Sequence, residues 1–470
     1  MEEENEKKFD ALMELLDNKH YSAFLKELEE LNPVDAAEFF TELPKKRIPA
    51  VFRLLKKDTA ADIFAELDGD VQERIIAAMT DREISAILEE LFLDDAVDML
   101  EEMPANIVKR ILKSATPETR AQINRFLAYP EDSAGSVMTA ELIELKKNMT
   151  CSQAIERIRK TGVDKETVYV AYVTDRSRKL EGIVPLKELL FADPDEKLED
   201  IMDTNIVSAT TQDDQETVAS LISKYDLLAL PVVDKENRLV GIVTVDDALD
   251  VLETEATEDI EKMAAITPTD KPYLKTSVWE TWKKRIPWLL LLMISATFTS
   301  TIITHYENAI GTYAILTAFL PMLMDTGGNA GGQSSVTVIR GLSLGEIELR
   351  DILRVIWKEM RVAVLCGITI SCAVFVKTMI VDFRFKTTSP ILDEFGATIG
   401  TQNNVKIAII IALTVFSAII IAKLVGTLLP MGAKSIGLDP AVMASPFITT
   451  IVDTLTLIIY FTIASHVLHF

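Results

Sequence analysis

SPFITTIVDTLTLIIYFTIASHV, residues 445–467, holds one acid, Asp453, and no Lys or Arg. A stretch of about 20 apolar residues is long enough to cross a bilayer as a helix. A charged side chain at mid-bilayer costs at least ~2.5 kcal/mol even on lenient scales, so such residues face a water-filled path or an ion. Asp453 is therefore a candidate cation ligand. The alternative is a protonated or locally hydrogen-bonded carboxyl at a helix packing face.

Working outward, segments of membrane-crossing length occur only after Arg285, near 286–305, 313–339, 362–381, 405–429 and 441–468. Lys283, Lys284 and Arg285 flank the first, and Arg340, Arg350, Arg354, Lys358 and Arg361 fill the 340–361 segment, which the positive-inside rule assigns to the cytoplasm. Five spans then put the amino end inside and the carboxyl end outside, with 382–404, carrying Arg384, Lys386, Asp382, Asp393 and Glu394, an external loop. The second span contains PMLMDTGGNAGGQSS (321–335), whose Gly327, Gly328, Gly331 and Gly332 allow close backbone approach. Unwound or tightly packed backbone at membrane depth is tolerated where it lines a cavity, and its carbonyls, with Asn329 and Gln333, suit a hydrated ion. A small-residue packing seam is the alternative. Asp325, near Pro321, fits a pore mouth or a packing position equally well.

The charge is divided unevenly. Residues 283–470 carry 14 Lys+Arg against 11 Asp+Glu, which with the whole-chain net of −24 leaves −27 on residues 1–282. That acidic surface disfavours nucleic acid and anionic lipid and attracts cations. Cys151, Cys366 and Cys372 are too few and scattered for a disulfide framework, and the opening MEEENEKKFD is polar where a signal peptide needs an apolar run. A cytosolic soluble part is expected.

Two repeats organise it. VDAAEFFTELP (34–44), TAADIFAELD (59–68) and DAVDMLEEMP (95–104) place small, acidic and large apolar residues at shared offsets, the mark of helix pairs stacked into an α-superhelix. Phe39, Phe40, Ile63, Phe64, Met99 and Leu100 are expected in its core. Further on, GSVMTAELIELKKNMTCSQAIERI (135–158) realigns with EDIMDTNIVSATTQDDQETVASLI (199–222), and LEGIVPLKELL (180–190) with LVGIVTVDDAL (239–249). Each copy reads strand, helix, strand, strand, helix. This pattern resembles a tandem pair of CBS domains, which often bind adenine nucleotides. The resemblance puts Thr244 and Asp247 at the phosphate-side hydroxyl and the ribose-binding acid of the second copy, where one carboxylate accepts two hydroxyl hydrogen bonds. The first copy departs, with Pro185 and Glu188 there, and proline brings neither hydroxyl nor N–H. A purely structural pair is the other reading.

The glycine segment, GLDPAVMASPFITTIVD (437–453), the CBS pair, the helical repeats and five spans together resemble the MgtE family of bacterial magnesium channels, over essentially the whole chain. The fold class expected is a multidomain membrane protein: an α-superhelical N domain (1–131), an α/β tandem CBS pair (132–252, as 132–195 and 196–252), a connecting helix (253–282) and a five-helix transmembrane domain (283–470). The resemblance implies a homodimer in the cytoplasmic membrane, with Asp453 of each subunit at the pore magnesium site. Mg²⁺ sheds water reluctantly and is held through it by one or two carboxylates, so two Asp453 side chains and carbonyls such as that of Thr449 suffice. It also implies that the connecting helix, in DDALDVLETEATEDIEKMAAI (246–266), plugs the pore when Mg²⁺ fills acidic interfaces. On a helix Asp247, Asp250 and Glu258 fall close to one face, as do Glu255 and Asp259, and Asp62, Asp94 and Asp98 match the facing acids. A solvated charge run is the plain alternative.

No Walker loop, HExxH or nucleophile elbow is present, so no catalysis is expected, and a nucleotide such as ATP would be a regulatory ligand. The expected activity is Mg²⁺ uptake through a channel closed by cytosolic Mg²⁺. Its rivals are a secondary transporter exchanging Mg²⁺ for Na⁺ or H⁺, and a membrane-anchored nucleotide or metal sensor.

Overall fold

The computed structural model describes residues 2–269, 273–274, 276–306, 314–392, 398–443 and 445–468. Contacts divide the chain after Leu252 into two units, and the division falls inside one helix, Val245–Met263.

The first unit starts with ten short helices between Glu2 and Phe126. Helices Pro33–Glu42, Lys57–Ala65 and Leu93–Glu102 carry the three repeat copies and bury equivalent positions: Ala36, Ala37, Phe39 and Phe40; Ala60, Ala61, Ile63 and Phe64; Ala96, Val97, Met99 and Leu100. Residues at i, i+1, i+3 and i+4 share one helical face, so the repeat is the buried stripe itself. Edge-to-face ring contacts link Phe9 to Phe39, Phe39 to Phe40, Phe40 to Phe52 and Phe52 to Phe64. The core runs on into the second βαββα copy through Phe126, Ala134, Met138, Val218 and Leu230.

The two copies build matching three-stranded sheets. Ile143–Lys146 pairs in parallel with Val170–Thr174, which pairs antiparallel with Leu180–Pro185; Ala209–Thr210, Ala229–Val233 and Leu239–Thr244 repeat this order. The register breaks at Val173/Thr174 in one copy and at Val232/Val233 in the other. Bridges cross between copies: Thr139 pairs with Ile242, and Asp203 with Ile183. Gly241 is required by this crossing, because a Cβ there would meet the Thr139 carbonyl and the Met138 side chain. The copies therefore complete each other's sheets.

The second unit holds five long helices among its described residues: Val278–His305, Leu320–Ser343, Ile352–Lys377, Asn404–Ser435 and Ser445–Leu468. Four spans, Val278–His305, Leu349–Asp382, Asn404–Ser435 and Pro440–Leu468, are long and apolar enough to cross a membrane on their own. The glycine helix Leu320–Ser343 is not among them, being rich in Gly, Ser, Asn and Gln. Its burial comes from neighbours: Gly327, Gly328, Gly331, Gly332, Ser334 and Ser335 are all buried.

Several boundaries differ from expectation. The helix expected over 362–381 begins at Ile352, so Arg354, Lys358 and Arg361 lie on the helix and not in a loop. An apolar window stops at the last charge, whereas a helix continues past the bilayer wherever its backbone bonds remain satisfied. The first span likewise begins at Val278 and passes through Pro287. The segment expected as an external loop contains a two-stranded antiparallel ribbon, Thr388–Leu392 with Thr398–Asn403; Asp393 and Glu394 lie outside the described residues.

Candidate cation path and acidic sites

Sequence reading left open how the glycine segment behaves at membrane depth. It stays helical from Leu320 to Ser343 and packs tightly. A Cβ at Gly327 would lie 2.9 Å from Val452 Cγ1, one at Gly328 2.8 Å from Thr449 Cγ2, and one at Gly331 2.9 Å from Ile448 Cγ2. On the other side a Cβ at Gly426 would collide with the Gly331 carbonyl. Glycine thus lets the Ser445–Leu468 and Asn404–Ser435 helices close onto one helix.

That packing decides where polar side chains go. Asp325, Asn329 and Gln333, at i, i+4 and i+8, form an exposed stripe on the glycine helix. Thr449 and Asp453, one turn apart on the last helix, are half-buried, and Asp453 Oδ1 is enclosed without a hydrogen-bond partner. Asp325 stands near enough to Asp453 to repel it electrostatically. A partnerless carboxylate oxygen near a second acid is an arrangement that water and a cation satisfy.

In the first unit a second group of acids gathers around the start of helix Leu93–Glu102. Asp94 is 8% exposed, and its Oδ1 has no partner. Burial, then Asp95, Asp247, Glu166 and Glu141, pushes its carboxyl up to about 8. Burial and Asp247 likewise raise Glu166 to about 7 and Asp95 to about 6. Asp247 is itself raised by burial, opposed by the Thr244 hydroxyl, which donates to its Oδ2 at 2.5 Å. Glu66 is raised by burial and by Asp250. Asp94 and Asp247 are thus brought together with three acids the sequence reading missed, Asp95, Glu141 and Glu166. Their signal is spatial: Glu141 and Glu166 come from loops of the first βαββα copy, with Glu166 N–H donating to the Glu141 carbonyl. Asp62 and Asp98 are exposed on their helices. Among the described residues no three His, Cys, Asp or Glu side chains converge closely enough to hold a metal ion.

Thr244 and Pro185 end equivalent strands, as the repeat alignment requires. Glu188 is exposed on the short helix Leu186–Phe191. Thr244 is buried.

In the second unit the end of the connecting helix is anchored by groups that were singled out only in part. Lys262 Nζ lies 2.5 Å from Glu258 and 2.7 Å from Asp439, Ser343 Oγ donates to Asp259 at 3.0 Å, and Met263 packs on Ile339 and Ala441. Burial lowers the Lys262 pKa, but its bonds to Asp439 and Glu258 outweigh that and raise it. Glu255 is half-buried on the same helix. Lys262 and Asp439 were missed because 177 residues separate them.

These features define a multi-pass membrane protein that carries a large α and α/β module and a candidate polar path for cations. Comparison with known proteins makes the assignment specific. The model described as "Divalent cation transporter" matches residues 320–463, "MgtE intracellular N domain" matches 31–132, and "CBS domain" matches 134–195 and 198–254. The chain is 35% identical to the magnesium transporter MgtE of Thermus thermophilus over 97% of each chain. It is 33% identical to that of Bacillus subtilis over 94% of this chain and 93% of the other. A crystal structure of the soluble part of a magnesium transporter superposes with TM-score 0.51 at 31% identity, covering 54% of this chain and 99% of that one. The chain belongs to the MgtE family.

The raised acids make the first unit pH-sensitive. Carboxyls held at about 6 to 8 keep protons that the unfolded chain releases near pH 4, so their stabilising contribution is complete below ~pH 4 and is lost as pH rises through 6 to 8. Thermal unfolding of residues 1–252 without divalent ions should show a lower Tm at pH 8.5 than at pH 5.5. Asp94→Asn should shrink that difference and raise Tm at the higher pH.

Proposed function

We propose that the protein is a Mg²⁺-selective channel of the cytoplasmic membrane that carries Mg²⁺ inward and is closed by cytosolic Mg²⁺. The observation carrying this is the enclosed, partnerless Asp453 oxygen, near Asp325, which begins an exposed stripe continued by Asn329 and Gln333. A stripe of acid and amides left exposed along a helix packed inside apolar sequence calls for water or a partner subunit. In a homodimer, two such stripes and two Asp453 side chains would face one path. Mg²⁺ keeps most of its waters when bound, so Asp453 and carbonyls such as that of Thr449 act on a hydrated ion. The basic flanks Lys283, Lys284, Arg285, Arg350 and Arg354 support an amino end inside and a carboxyl end outside.

Gating rests on repulsion. Asp94, Asp95, Asp247 and Glu166 stand together in one unit, and Glu255, Glu258 and Asp259 on the helix entering the other. Divalent ions offset such repulsion at millimolar concentrations through several weak sites, so a steep response needs no tight one. Asp62, Asp98 and Asp250 extend the same surfaces. ATP is proposed as a regulatory ligand at Thr244 and Asp247, and because Asp247 also faces Asp94, a bound nucleotide would act on the same acids. An exchanger coupling Mg²⁺ to Na⁺ or H⁺ remains the second reading; the absence of unitary currents in planar bilayers would favour it.

In liposomes containing the purified protein, Asp453→Asn should reduce Mg²⁺ flux at least tenfold, about 1.4 kcal/mol, while insertion and dimerisation persist. Wild-type flux with unchanged selectivity would sink the pore-ligand assignment. Neutralising Asp94, Asp98, Asp250, Glu255, Glu258 and Asp259 to Asn or Gln should shift closure to higher cytosolic Mg²⁺ in patch recordings. An unmoved midpoint would put the gate elsewhere. By calorimetry, Asp247→Ala should weaken ATP binding more than Glu188→Ala; the reverse order, or no heat from the parent protein, would return the CBS pair to a structural role.

A further inference from the structure

One buried ionisable group is used neither by the path nor by the acidic surfaces. Lys423, on helix Asn404–Ser435, is 5% exposed inside a span apolar enough to cross the membrane. Its Nζ lies 3.0 Å from Ser334 Oγ on the glycine helix and 3.6 Å from Glu359 Oε2 on helix Ile352–Lys377. The Ser334 hydroxyl donates to the same Glu359 oxygen at 2.6 Å. Three helices thus meet at one enclosed triad, with the serine hydroxyl accepting from the lysine and donating to the carboxylate.

We propose that Lys423 and Glu359, acting through Ser334, are positioning residues for permeation: they fix the rotation of the glycine helix that turns Asp325, Asn329 and Gln333 toward the ion path. Ser334 follows Gln333 by one residue, a turn of about 100°. A hydroxyl pinned inside the bundle by two opposite charges therefore sets Gln333, and Asn329 one turn earlier, on the outward stripe. The hydroxyl donates one hydrogen bond and accepts another, and a different rotamer would give up both. The triad also sits at the tightest crossing. Ala422, next to Lys423, offers its carbonyl to the face of Gly331, and Gly426, three residues on, packs against the Gly331 backbone. A rotation of the glycine helix would meet these contacts first.

Energetics separate this role from simple stabilisation. A buried ion pair contributes little net stability, and replacing both partners with apolar groups of similar volume is often neutral or favourable, whereas removing one partner strands a buried charge. Stability alone would be met by two methionines. What methionines do not supply is a hydrogen bond to Ser334, and so the orientation of the stripe.

This inference rests on the reading of the stripe as the ion path, and the test separates the two. In the full-length protein with Cys151, Cys366 and Cys372 replaced by Ser, Gln333→Cys reports stripe orientation through its reaction with a water-soluble thiol reagent. That readout is independent of which ion moves. Mg²⁺ flux into liposomes is measured in parallel without the reporter. The double variant Lys423→Met/Glu359→Met is expected to keep the parent's thermal stability and dimerisation, to change the labelling rate at position 333 several-fold, and to lower flux by roughly tenfold, the upper range for residues that act on a site through packing. Ser334→Ala should reproduce both changes in smaller measure. Parent-like labelling in both variants would overturn the proposal, whatever happens to flux. Altered labelling with parent-like flux would leave the positioning role standing and overturn the stripe as the path.

Discussion

A polar group inside a bilayer needs a partner, because lipid offers none, and the second unit is arranged around that requirement. Its backbone groups are met by helices. Its side chains are met in two ways: Lys423, Glu359 and Ser334 satisfy one another in the interior, while Asp325, Asn329 and Gln333 are exposed and Asp453 Oδ1 is enclosed without a partner. The difference is informative. An enclosed, partnerless carboxylate oxygen at membrane depth is costly, and on the proposed reading water and a cation complete it. Glycine makes the arrangement possible, since the last helix approaches within contact of Gly327, Gly328 and Gly331 only because those residues lack side chains.

The soluble unit faces the opposite problem. Water is abundant, yet carboxylates are crowded where burial makes their charge costly, and Asp94, Glu166 and Asp95 respond by holding protons to higher pH. A protein selected for stability alone would place a lysine or an arginine among them. It does so elsewhere: Lys262 bridges Glu258 and Asp439 at the end of the connecting helix, satisfying there with an ammonium what the Asp94 group leaves unmet. On the proposed reading, the unmet group is the responsive one, because only an incompletely compensated site changes its energy when a cation arrives.

Much of this was legible in the sequence, for identifiable reasons. The three helical repeats were readable because burial follows sequence offset directly, so Phe39, Phe40, Ile63, Phe64, Met99 and Leu100 could be placed in the core from spacing alone. The βαββα copies were readable because they repeat, down to strands ending at Pro185 and Thr244. Asp453 was conspicuous because it interrupts apolar sequence. Lys423 interrupts apolar sequence as well and was passed over, since its partners Ser334 and Glu359 lie on two other helices and no local pattern marks them. Glu141 and Glu166 were missed for the same reason: they join Asp94 through the fold, not through a motif. Helix ends were misjudged where charged residues lie on the helix itself, as between Ile352 and Arg361.

Asp247 carries the last link. It is the acid of the Thr244–Asp247 pair and also the strongest neighbouring charge on Asp95 and Glu166 and the second strongest on Asp94. One carboxylate therefore belongs to both proposed regulatory functions, and linkage constrains how they interact. A nucleotide whose ribose hydroxyls donate hydrogen bonds to Asp247 favours its charged form, as a divalent ion beside Asp94 does, so each would ease binding of the other; a triphosphate brought near the same acids without its metal adds repulsion and opposes binding. The sign of the coupling between nucleotide and Mg²⁺ is thus set by whether the phosphates reach the acidic group. On the proposed reading the first copy lacks this link, because Pro185 has no hydroxyl to hold the phosphate side and Glu188 stands exposed.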